Sequence, residues 1–85
     1  MIYLGWSATH PEGGVGEGPW TDVFELAPGL FLFDSEATRS RVYHELKWSL
    51  PKGTAVLVAE LHEEPKFLHL APGAKVWLRA HPPGG

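Results

Sequence analysis

Leu30-Phe31-Leu32-Phe33-Asp34-Ser35-Glu36, with Thr54-Ala55-Val56-Leu57-Val58-Ala59-Glu60-Leu61 downstream, decides the fold class of this 85-residue chain. Residues 30–33 are apolar at every position, the pattern of a strand covered on both faces. Asp34-Ser35 forms a helix N-cap signal, and Glu36 is favourably placed against the positive end of the helix dipole. Val42, Leu46 and Leu50, with Tyr43 beside them, recur at helical spacing. They predict one main helix over about 35–50, stopped by Pro51-Lys52-Gly53. Residues 54–61 then read as a strand, and their unbroken apolar centre places it inside a sheet. Strand, helix and strand in this order define an α+β domain.

The flanks extend the sheet. Residues 1–8 alternate Ile2, Leu4 and Trp6 with Tyr3, Gly5 and Ser7, a strand pattern rich in β-prone side chains. Residues 21–26 pair with 30–33 through Ala27-Pro28-Gly29, where proline presets one turn corner and glycine supplies positive φ at the next. His62-Glu63-Glu64-Pro65-Lys66 is a polar turn, and residues 67–70 read as a further short strand. Residues 74–81 alternate apolar and polar side chains, which favours a strand. A short C-terminal helix opened by Ala71-Pro72-Gly73 is the alternative. Phe67-Leu68-His69-Leu70-Ala71-Pro72-Gly73 echoes Phe24-Glu25-Leu26-Ala27-Pro28-Gly29, one turn chemistry used twice.

Length allows one domain, over residues 1–81, with residues 82–85 as a flexible tail. A chain this short has a thin core and needs support from a disulfide, a metal or self-association. Cysteine is absent, which removes disulfides, thiolate chemistry and the soft ligands of structural zinc. Asparagine and glutamine are absent too, and eight prolines punctuate the chain, a composition expected of a heat-adapted (thermophile) protein. The net charge of −3 lacks the basic excess of nucleic-acid binders, so nucleic acid is not an expected partner. No apolar run has membrane-spanning length and no basic leader opens the chain, so a cytoplasmic protein without membrane contact is expected.

From Leu30 onward the chain runs through an apolar strand, a helix and Val58-Ala59-Glu60-Leu61. It closes with Trp77-Leu78-Arg79-Ala80-His81. Over residues 30–81 this order resembles small stand-alone SinR-like proteins, distant relatives of the CRISPR-adaptation endoribonuclease family. The resemblance implies a small ferredoxin-like antiparallel sheet and a dimer habit. The nuclease relatives share a metal-binding aspartate near the end of the first strand. Here that neighbourhood is Gly5-Trp6-Ser7-Ala8, with no carboxylate, and a glycine-rich loop replaces the expected first helix. What the resemblance implies is therefore the fold and the dimer, and it argues against nuclease chemistry.

Three groups of residues are candidates for function. The loop over residues 10–19 follows a strand as a phosphate cradle would, yet it lacks the third fingerprint glycine and is followed by a strand, not a helix. As a ligand-gripping loop it would use His10, Glu12, Gly14 and Gly16. As a plain connector it needs none of them. Glu60, an acid in an apolar strand, is a candidate acid or base if buried, and an ordinary strand-end carboxylate if it faces water. The five histidines lack metal-ligand spacing, so neither a metal nor another cofactor is expected. Trp6, Trp20, Trp48 and Trp77 exceed what one small core accommodates with every indole N–H paired. Some of them are expected at an interface. The sequence thus points to a non-enzymatic dimerising accessory or regulatory protein, a homodimer with room for a further protein partner. The alternative is a small enzyme or ligand-binding protein built on the glycine-rich loop.

Overall fold

The computed structural model describes residues 1–11 and 13–84. It contains β1 (Ile2–Ser7), β2 (Asp22–Ala27), β3 (Leu30–Asp34), α1 (Arg39–Trp48), β4 (Val56–Leu61) and α2 (Ala74–Ala80). The strands form one sheet in the order β2-β3-β1-β4, every neighbouring pair antiparallel. This is the split arrangement of a ferredoxin-like α+β domain, with β1 lying between two strands joined through a helix. Loop residues 8–11 and 13–21 occupy the place of the first helix.

Side chains alternate across the sheet and build a core on each face. One face buries Ile2, Leu26 and Leu32 against Ala74, Trp77 and Leu78 of α2. The other buries Tyr3, Phe31 and Phe33 against Val42, Leu46 and Leu50 of the α1 segment, with Val15 and Trp20 of the loop alongside. Gly5 makes this second core possible. A Cβ there would lie 2.6 Å from the Phe33 ring and 3.3 Å from Leu46. At the β2–β3 turn, Gly29 takes φ 80°, as the Pro-Gly pair requires. Gly73, its counterpart in the sequence echo, takes φ 92° before α2.

Four sequence expectations are corrected. The helix starts at Arg39, not at Glu36, because Asp34 still pairs in the sheet and the Ser35 N–H is held by Met1 O at 3.0 Å. Thr38 is the cap and accepts from Arg41 N. The fully buried Ser35 instead bonds Pro19 O and accepts from Ala37 N, tying the loop to the exit of β3. Residues 67–70 form no strand, since His69 adopts φ 62° and interrupts the extended backbone. Residues 74–80 are helical: Ala74, Trp77 and Leu78 are the buried positions, a spacing of three and four that no strand can bury on one face.

The fourth correction bears on function. β4 is an edge strand, not an interior one. Val56 and Val58 pack on the α1 side, whereas on the α2 side Leu61 packs and Leu57 stays exposed. An apolar run does not require hydrogen bonding on two edges. Among the described residues, no helix is long and apolar enough to cross a membrane.

Candidate functional site

The glycine-rich loop is anchored at both ends. His10 Nε2 lies 2.7 Å from Glu25 Oε2 on β2, and Trp20 Nε1 donates to Gly16 O at 3.2 Å while its ring packs 4.6 Å from that of Phe33. Between loop and strand lies an open groove of about 600 Å³ that includes Val15, Glu17, Trp20 and Thr21. Gly14 and Gly16 have open space where a side chain would project. Glu12 lies outside the described residues. Glu17 on the groove wall disfavours an anion there.

Glu60 does not join this group. It sits on β4, at the edge of the sheet opposite β2, exposed and 3.3 Å from His62 Nε2. Its cross-strand partner is Tyr3. The Tyr3 hydroxyl donates to Ala37 O at 2.7 Å. Burial holds the Tyr3 phenol above its ordinary pKa, and the Glu60 charge pushes in the same direction. Of the ligand-binding candidates in the sequence, His10, Gly14 and Gly16 lie on the loop that His10 ties to β2, and Glu60 lies at the opposite edge of the sheet.

A polar cluster that sequence reasoning missed joins α2 to β2. Trp77 Nε1 donates to Asp22 Oδ2 at 3.2 Å, and His81 Nε2 lies 3.2 Å from the same oxygen. His81 Nδ1 donates to Trp77 O at 2.9 Å, and its ring stacks on the indole at 4.0 Å. Both ring nitrogens thus face oxygen atoms. The residues are 55 apart for Asp22 and Trp77, and no local motif signals the contact. The cluster ties the last turn of α2 to the sheet. Among the described residues, no group of three or more His, Asp or Glu converges to hold a metal.

The four tryptophans separate into two pairs. Trp77 is buried and belongs to the core, which removes it from any interface. Trp20 is half-buried and holds the loop. Trp6 remains 41% exposed and Trp48 68% exposed. Trp48 stacks on His44 of its own helix, 5.6 Å between centroids. Trp6 has a different setting. It lies on the face that α2 covers, directly opposite Leu57 of β4, itself 52% exposed. On this face α2 is packed against β2, at the far edge from β4. The half of the sheet carrying Trp6 and Leu57 therefore keeps an apolar surface in water, flanked by an edge strand. Exposed apolar surface of this kind marks interaction sites.

Comparison with known proteins found no match: no protein-family model, no curated protein and no solved structure is significantly similar to the chain.

Proposed function

We propose that the chain is a non-enzymatic, self-associating module, a homodimer that serves as an accessory or regulatory protein. The observation that carries this reading is the uncovered apolar half-face of Trp6 and Leu57 beside the β4 edge. A chain with a small core gains stability by burying such surface against a copy of itself. Indoles are enriched at the centres of protein contacts, where they contribute large area at low entropic cost. The composition that motivates a heat-adapted, cytoplasmic protein fits the same reading, because association is one of the routes to stability at high temperature.

Light scattering on a concentration series of the untagged chain tests the proposal. Wild type is expected to be dimeric at micromolar concentration. Leu57→Lys places a charge on surface that is already exposed, so its monomer fold should persist by circular dichroism. Its dissociation constant should rise by tenfold or more, since about 1.4 kcal/mol per tenfold is within the worth of one buried leucine. A wild-type chain that stays monomeric across the series removes the proposal.

The second reading, a ligand-binding protein using residues 10–19, draws support from the groove beside Trp20. Replacing Gly14 and Gly16 with valine should abolish retention of any small molecule that co-purifies with the chain and appears as added mass in native mass spectrometry.

A further inference from the structure

The two edges of the sheet are treated differently. β2 is obstructed: its register breaks between Glu25 and Ala27, Ala71 N donates to Leu26 O, and Asp22 and Glu25 place acids along it. Such bulges, covering segments and inward charges are how proteins protect a sheet edge. β4 carries none of these devices. It is paired with β1 in unbroken register from Ile2–Leu61 to Ser7–Val56, contains no proline, and holds one charge. No described strand pairs with its outer side.

Its outward hydrogen-bonding groups follow from the register. Ala8 N donates to Ala55 O, so residues 55, 57, 59 and 61 direct their backbone groups toward β1. Alternation then points the N–H and C=O of Val56, Val58 and Glu60 outward. These three residues are symmetric about Val58. An antiparallel copy related by a two-fold axis at Val58 meets each outward N–H with a C=O. Val58 faces Val58 of the copy, and Val56 faces Glu60 in both directions. Shifting the axis to Glu60 would set two carboxylates opposite each other, which is unfavourable. Shifting it to Val56 would leave Glu60 unpaired.

The side chains agree with this register. On the Trp6 face the large, exposed Leu57 falls opposite the small Ala59 of the copy. On the other face α1 lies over β4 and β1, with Val56 and Val58 packed against its core and Leu46 beside Gly5. We infer that a second copy of this chain adds to β4 edge to edge, centred on Val58, making one continuous eight-stranded sheet. This inference rests on the self-association reading and specifies its contact at the β4 edge, where Leu57 meets the copy and Trp6 lies one strand inward from the seam.

The absence of cysteine makes the test direct, because a single introduced thiol reports only on itself. In the pairing above, the Val58 Cα atoms of two copies lie about 5.5 Å apart, within disulfide reach. Val58→Cys should therefore form a disulfide-linked dimer under mild oxidation at least tenfold faster than Val76→Cys, a control exposed on α2. Hydrogen exchange on the wild type supplies a second measurement without substitution. The Val58 amide should become protected as concentration rises, in step with the light-scattering dimer. A dimer in which Val58→Cys cross-links no faster than Val76→Cys, and in which the Val58 amide stays unprotected, overturns the edge pairing and leaves self-association standing. A wild type that is monomeric throughout overturns both.

Discussion

At the scale of single residues, Tyr3 shows how one side chain couples the core to the β4 edge. Its ring is buried, its hydroxyl is committed to Ala37 O, and Glu60 stands opposite. Burial, and then the Glu60 charge, raise its pKa above the ordinary value. A folded-state value raised above the unfolded one, for a group that is neutral when protonated, stabilises the fold fully below the unfolded pKa of about 10. That contribution is lost as pH rises through the folded value. Alkaline unfolding should therefore accompany Tyr3 ionisation in an ultraviolet titration. Glu60→Gln should move that ionisation down toward the ordinary value without reaching it, because burial remains. An unchanged titration would show that Glu60 does not act on the phenol. Gly5 operates at the same scale, as a missing side chain whose space Phe33 uses.

At the scale of elements, α2 has seven residues, too few to be stable alone. It is held by Ala74, Trp77 and Leu78 in the core and by the Asp22–Trp77–His81 cluster at its last turn. Trp77→Phe keeps an aromatic ring in the core and removes the indole N–H. It should lower stability by about 1 kcal/mol, the worth of one part-buried hydrogen bond, measured by urea unfolding. Equal midpoints for the two proteins would make the contact to Asp22 incidental. The elements also show what sequence reveals. β1 and the inward stripe of α1 were legible because each follows a single period, two or near four; β3 was legible from its unbroken apolar run, and β2 from the Pro-Gly turn that joins it to β3. The pattern over residues 74–81 satisfied both periods, and burial of the adjacent Trp77 and Leu78 distinguishes them. The start of α1 was misplaced because Ser35 has the chemistry of a cap and spends it on Pro19 and Ala37. Hydropathy said nothing of strand order, so β4 read as interior. The candidate site suffered likewise. His10 and Glu60 carry suitable atoms, but only the order β2-β3-β1-β4 reveals that they stand at opposite edges.

At the scale of the molecule, one sheet separates two cores, and neighbouring residues serve both. Leu32 faces the α2 side and Phe33 the α1 side, each without exposed surface. Neither core can be lost while the strand between them stays ordered, so unfolding should be a single cooperative transition. Leu46→Ala and Leu78→Ala, one in each core, should each lower stability by about 2–5 kcal/mol. Both should shift the same calorimetric transition. Two separable transitions in either variant would mean that the cores fold independently. The unequal edges have a last consequence, for the size an assembly can reach. A chain with two open edges would act as a monomer of a fibre, each addition exposing a fresh template. Here every molecule has one open edge and one that is bent, acidic and covered at Leu26 by Ala71. In the proposed pairing, joining through the open edge would leave only terminators outside, and growth would finish after a single step.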